Sequence, residues 1–224
     1  MAPLPSRRAV LFDVDGVLLD TESLYTQATQ AAISEFGKTY DWSLKQQMMG
    51  RHPLESAALL IRHLGLPLSP EELVVREEAL LNHLFERTRA MPGAAELVQD
   101  LSVRHVPLAV ATSSRAALYD KKSAPHAWFS HFRVAVAGDD PEVAHLKPAP
   151  DIFLLASRRL GVPPEECIVV EDSPAGVEAA RRANMWVIGL PAPELGATAL
   201  PRAHVTARNF GDVRVALFEA LRLR

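Results

Sequence analysis

The sequence predicts an α/β fold, a doubly wound parallel-sheet core with an all-helical cap domain inserted after the first strand. Three observations predict it. Strand-length apolar runs recur along the chain: Val10-Leu11-Phe12, Leu108 to Ala111, Val134-Ala135-Val136, Ile168-Val169-Val170 and Trp186-Val187-Ile188. These runs are continuous rather than alternating, as in strands covered on both faces, and helical sequence separates them. Between residues 20 and 88, by contrast, no strand run occurs and helical spacing dominates.

The elements follow in order. After Asp20, which reads as an N-cap, Leu24, Ala28, Ala31, Ala32 and Phe36 keep helical spacing up to Gly37. A short helix is expected from Ser43 to Met49, stopped by Gly50, and another through Leu54, Ala57, Ala58, Ile61 and Leu64, closed by Gly65. Ser69-Pro70-Glu71-Glu72 reads as a capping box with proline in the first turn. From Met91 strands and helices alternate: a helix opened by Pro92-Gly93 runs to about Arg104, and one follows the second strand to about Lys122. A helix from Pro150 ends at Gly161, and one over Ala175 to Ala183 ends at Asn184, both able to close a helix in left-handed backbone. The last helix spans Val213 to Leu221. The predicted domains are therefore 1–19 with 89–224, and 20–88.

The bulk composition narrows the function. With 224 residues, 48% hydrophobic and 23% charged, the chain is long enough for a sizeable core. A net charge of −3 argues against nucleic acid and anionic membrane as partners. The basic pairs Arg7-Arg8, Lys121-Lys122 and Arg158-Arg159 read as solvated faces. The single cysteine, Cys167, reads as a small buried hydrophobe. No apolar run approaches a membrane span, and the run after Arg7-Arg8 stops at Asp13, too early for a signal peptide. A cytoplasmic, monomeric enzyme is expected.

Ligands of open parallel sheets bind at the carboxyl ends of the strands. The first strand ends in Asp13-Val14-Asp15, the second in Thr112-Ser113-Ser114, a later one in Glu171-Asp172, and Lys147 sits in the loop before a helix. Residues two apart in extended chain share a side, so Asp13 and Asp15 are expected together, and with Glu171 and Asp172 up to four carboxylates would share one pocket. Such a cluster holds protons or binds a cation, and its hard oxygen donors point to Mg2+. A hydroxyl, strand-end N–H groups and a lysine suit a phosphoryl group. An EF-hand fails on Val17 and Leu18, which stand where that loop needs Asp or Asn and then Gly; the chain also lacks a Gly-rich phosphate loop, a GxSxG elbow and HExxH spacing.

These motifs carry a resemblance. "DVDG" from Asp13, Thr112 in "ATSS", Lys147 in "KPAPDIF" and "EDSPAG" from Glu171 resemble, in order, the four motifs of haloacid-dehalogenase (HAD) superfamily phosphatases with a Rossmann-like core and a helical cap. "MPGAAELV", "VPLAVATSS", "GDDPEVAHLKPAPDIFL", "VEDSPAGVEAA" and, in the cap, "MGRHPLESA" are similar to the pseudouridine-5'-phosphatase-like subgroup, which includes plant sugar- and glycerol-phosphate phosphatases.

The resemblance implies Mg2+-dependent hydrolysis of a small phosphomonoester through an aspartyl-phosphate. Asp13 would be the nucleophile and Asp15 the proton carrier. Mg2+ would be held by Asp13, the Asp15 carbonyl and Asp172, with Glu171 bonding through a coordinated water. Thr112, the Ser113 N–H and Lys147 would bind phosphate. The cap would close over the site, its loop at Gly50, Arg51, His52 and Glu55 selecting the substrate, with pseudouridine 5'-phosphate the leading candidate and a sugar phosphate or glycerol phosphate the alternative. Asp15 with Glu171-Asp172 argues against haloalkanoate dehalogenation. A phosphosugar mutase is an alternative, disfavoured by Tyr25 and Pro53 where mutases carry His and Arg. A noncatalytic regulatory protein on the same fold is the alternative from another class, and the full motif set counts against it.

Overall fold

The computed structural model describes residues 7–48, 53–192 and 195–223. Six parallel strands form one sheet: β1 (Ala9–Phe12), β2 (Leu108–Ala111), β3 (Val134–Val136), β4 (Cys167–Glu171), β5 (Trp186–Gly189) and β6 (Val205–Thr206), in the order β3-β2-β1-β4-β5-β6. Nine helices accompany them among the described residues: α1 (Glu22–Ser34), α2 (Trp42–Met48), α3 (Pro53–Leu64), α4 (Pro70–Leu84), α5 (Ala94–Val103), α6 (Ala116–Ser123), α7 (Asp151–Leu160), α8 (Pro174–Arg182) and α9 (Phe210–Leu221). The two-residue strand β6 and the start of α9 at its Asn209 cap are additions to the sequence reading.

Strand periodicity explains why the apolar runs are continuous. Val10 and Phe12 of β1 join Leu108, Val110, Ile168, Val170 and Ile188 in one core, with Leu97 and Leu101 of α5 and Val213 and Leu217 of α9. Their alternates, Ala9, Leu11, Ala109, Val169 and Val187, join the core on the other face with Ile152, Phe153 and Ala156 of α7 and Val177 and Ala180 of α8. Every residue of β1, β2 and β4 is buried, so an alternating pattern would have put polar groups into one of the two cores.

The chain forms two compact units, Met1–Asp20 with Arg89–Arg224, and Thr21–Thr88. Asp20 falls in the first, its amide donating to the Arg89 carbonyl at 2.9 Å. In the second, α1, α3 and α4 bury Ile33, Leu60 and Leu73 around one small core. The capping box forms as read: Ser69 Oγ accepts from the Glu72 amide at 3.2 Å and Glu72 Oε2 accepts from the Ser69 amide at 2.7 Å. Asp20 stands one residue before the N-cap position from which α1 starts. Thr21 occupies the N-cap of α1 with helical backbone and no side-chain cap bond.

Gly161 and Asn184 both take positive φ, 70° and 59°, at the ends of α7 and α8. No helix among the described residues is long and apolar enough to cross a membrane.

Candidate active site

The strand order reverses direction at β1 and β4, which leave the sheet side by side. Their register pairs Phe12 with Val170, and the next ladder bond runs from the Asp13 amide to the Val170 carbonyl at 3.1 Å. Asp13 and Glu171 therefore emerge as neighbours. Asp13, Glu171 and Asp172 each offer a carboxylate oxygen, and these three atoms lie within 4.8 Å of one another.

Lys147 enters the cluster from the loop before α7. Its Nζ donates to Asp13 Oδ1 at 2.5 Å, to Glu171 Oε1 at 2.7 Å and to the Ala111 carbonyl at 3.0 Å. That loop is anchored by Arg159, which donates to Asp140 and Glu142 at 2.6 and 2.7 Å, and by the His145 amide on Asp151 at 3.0 Å. Arg159 is thus a structural tie and not simply a solvated face. Three carboxylates against one ammonium leave the cluster negative. Burial pushes the Asp13 carboxyl up to about 7; Lys147 opposes the shift, and Glu171 and Asp15 add to it. Burial alone would depress the Lys147 ammonium, but Asp13 and Glu171 outweigh it and hold it above its usual value.

Two glycines make room for the acids. Gly16 has φ +77°, and a Cβ there would sit 2.2 Å from Asp172 Oδ2. At Gly176, in the first turn of α8, a Cβ would lie 1.7 Å from Glu171 Oε1. Glu171 Oε2 is already engaged, accepting from the Ser173 amide at 2.9 Å and hydroxyl at 3.0 Å. All-oxygen donors converging with excess negative charge, in a pocket cleared of side chains, fit a hard divalent cation.

Asp15 departs from expectation. β1 stops at Phe12, and the chain turns, with the Gly16 amide on the Leu19 carbonyl at 2.9 Å and the Leu18 and Leu19 amides on Val14 at 2.9 and 3.0 Å. Extended-chain periodicity does not hold through this turn. Asp15 stays close enough to raise Asp13, yet its own oxygens meet Lys122 of α6, at 2.6 and 2.8 Å. The expected pocket of up to four carboxylates is therefore a cluster of three, two of them on Lys147, beside an Asp15–Lys122 pair.

Lys122 corrects the reading of Lys121-Lys122 as a solvated face. Lys121 is exposed, but Lys122 is 0% exposed. The signal lay in helical spacing. Leu118, Tyr119 and Lys122 stand at i, i+1 and i+4, so Lys122 falls on the inward stripe of the helix that follows the Thr112 motif. Ser114, also passed over, donates its hydroxyl to Asp15 Oδ2 at 2.9 Å.

Thr112 is buried at the end of β2; its Oγ1 accepts from the Ser114 amide at 3.1 Å and faces Asp15 Oδ2 at 3.5 Å. Ser113 is exposed beside it. Glu55 is exposed in the first turn of α3, whereas Gly50, Arg51 and His52 lie outside the described residues.

Comparison with known proteins agrees with this geometry. The profile of haloacid dehalogenase-like hydrolases matches residues 7–184. The chain belongs to the haloacid dehalogenase-like hydrolases. Within this HAD family it is an enzyme of the phosphatase type. It is 42% identical over 212 residues to a probable pseudouridine-5'-phosphatase of Drosophila melanogaster, covering 93% of this chain and 92% of that one. It is 43% identical over 192 residues to (DL)-glycerol-3-phosphatase 2 of Arabidopsis thaliana, covering 83% of this chain and 80% of that one. A HAD family hydrolase of Deinococcus radiodurans R1, solved with bound phosphate and sodium, superposes with a TM-score of 0.84 at 29% identity, over 97% of this chain and 98% of that one. The parallel sheet and helical content are those of this fold.

Proposed function

We propose that this HAD hydrolase is a Mg2+-dependent phosphatase of a small phosphometabolite, with pseudouridine 5'-phosphate its first candidate substrate. The observation that carries the reaction is the meeting of Asp13, Lys147, Glu171 and Asp172 at the switch point, with Thr112 and Asp15 beside them.

Asp13 attacks phosphorus, and the bond from phosphorus to the ester oxygen breaks. Asp15 gives its proton to the departing alcohol. It then takes a proton from the water that attacks the phosphoryl group, and the Asp13–phosphorus bond breaks to release inorganic phosphate. Lys147 neutralises Asp13 and phosphate together, while Thr112 and the Ser113 N–H orient the oxygens that are not transferred. Asp13, Asp172 and the Asp15 carbonyl would hold Mg2+, with Glu171 acting through a coordinated water, in keeping with its two occupied oxygens. Bound Mg2+ would supply positive charge against the phosphate oxygens.

Near full-length similarity to a probable pseudouridine-5'-phosphatase supports the substrate. Similarity to a glycerol-3-phosphatase supports glycerol 3-phosphate as the second reading. In both, the helical unit 21–88 selects the substrate, and we place Glu55, with Gly50, Arg51 and His52, in that role. We read the protein as a monomer acting in the cytoplasm, with no nucleic-acid or membrane partner. The test is phosphate release from a panel containing both esters and hexose phosphates, with Mg2+. The reading expects kcat/KM to be highest for pseudouridine 5'-phosphate. Conversion of a hexose 1-phosphate to the 6-phosphate would favour a mutase. Absence of turnover on every ester would favour a noncatalytic role.

A further inference from the structure

Lys122 is wholly buried, and a buried ammonium costs several kcal/mol unless it is paired and hydrogen-bonded. Three hydrogen bonds of its ammonium converge on one place. Nζ donates to Asp15 Oδ1 at 2.6 Å, to Asp15 Oδ2 at 2.8 Å and to Ser114 Oγ at 2.7 Å, and Ser114 Oγ passes a hydrogen bond on to Asp15 Oδ2 at 2.9 Å. The helix that carries Lys122 is itself held from outside: the Ala116 amide, at its first residue, donates to Asp139 Oδ1 at 2.8 Å. Tyr119 packs edge-on to Phe129 one turn before Lys122. The lysine is delivered by a fixed helix to the carboxylate assigned above to proton transfer, and away from the carboxylate cluster that Lys147 serves.

We infer that Lys122 and Ser114 form a clamp that positions Asp15 for proton delivery to the leaving alcohol. The inference rests on the assignment of Asp15 as proton carrier. Lys122 is a positioning residue, acting on the substrate through the carboxylate and hydroxyl it holds. Its work is geometric. Asp15 leaves β1 on a turn, where strand pairing no longer fixes its side chain, and one donor from α6 and one from the loop before it replace that constraint. The clamp also divides the like charges at the site, giving Asp15 its own cation and leaving Lys147 to Asp13 and Glu171.

The experiment compares two leaving groups. 2,4-Dinitrophenolate departs without a proton, whereas the alcohol of pseudouridine 5'-phosphate or glycerol 3-phosphate needs one. Lys122→Met is expected to lower kcat/KM for the better of those alkyl esters about 10²-fold or more, the scale of general-acid catalysis, while kcat/KM for 2,4-dinitrophenyl phosphate barely falls. Ser114→Ala is expected to move the ratio in the same direction by less, and it answers the question if Lys122→Met fails to fold. In an Asp15→Asn background, Lys122→Met is expected to add no further leaving-group discrimination. Equal losses on both esters, or none, would overturn the clamp. If Asp15→Asn discriminates between leaving groups and the Lys122 and Ser114 variants do not, the clamp fails and the phosphatase reading stands. A wild-type protein inactive on every ester overturns both.

Discussion

Gly16 shows how tightly single residues constrain this site. Its left-handed backbone excludes most side chains, and the space a Cβ would occupy is filled by the Asp172 carboxylate. Gly16→Ala is expected to displace Asp172 and raise the Mg2+ concentration for half-maximal activity about tenfold or more, checked by Mg2+ titration of the rate. Cys167 gives a prediction with a definite pH window. Burial pushes its thiol from 9.0 up to about 11, so the folded protein keeps a proton that the unfolded chain has begun to release. The stabilisation is complete below about pH 9 and is lost as pH rises through about 11. Urea midpoints measured at pH 8 and pH 10.5 should fall with pH, and Cys167→Ala should flatten part of that fall. Tyr40 and Tyr119, both pushed up to about 12 by burial, carry the same sign and keep the remainder. Asp13, Thr112, Lys147 and Glu171 were legible in the sequence because each stands at a strand end or just before a helix, where chain direction alone predicts its place. Lys122 was harder to read, because lysines are almost always exposed and that preference outweighs the helical spacing that turns it inward, until its partner, distant in sequence, is seen.

At the scale of elements, helix ends divide into those set by local chemistry and those set by packing. The Ser69–Glu72 box is local and was readable residue by residue. Ser69→Ala is expected to destabilise by about 1 kcal/mol, seen as a lower thermal midpoint with activity per folded molecule nearly kept. The start of α1 shows the other case. The Asp20 amide donates to the Arg89 carbonyl, which ties the chain where the helical unit begins, and Thr21 takes the cap position with helical backbone and no side-chain cap bond of its own. The strands were legible as continuous apolar runs because both sheet faces are covered. β6 was not, since two residues at a sheet edge, Val205 exposed and Thr206 polar, carry no periodic signal.

Across the whole molecule, the doubly wound order brings residues far apart in sequence to one place. Asp13 and Lys147 are 134 positions apart, and Asp15 and Lys122 are 107. The carboxylate cluster carries net negative charge in the folded protein, so a cation bound there stabilises the fold by mass action. Mg2+ at saturating concentration is expected to raise the thermal midpoint, and excess EDTA to return it and abolish phosphate release. Asp172→Asn should reduce the Mg2+-dependent rise, as read by thermal unfolding with and without the ion. An unchanged midpoint in the wild type would argue against a cation site in this cluster.

The central claim is that Asp13 carries the phosphoryl group between two half-reactions. It is tested most directly by rapid-quench digestion and mass analysis of the Asp15→Asn variant mixed with 2,4-dinitrophenyl phosphate, whose leaving group needs no proton, since loss of the base should let the intermediate accumulate. The account predicts a hydroxylamine-labile phosphoryl group on the peptide bearing Asp13, absent when Asp13→Asn is added to that variant. Phosphate release by the wild type with no phosphorylated peptide at any quench time, and with turnover retained in Asp13→Asn, would contradict it.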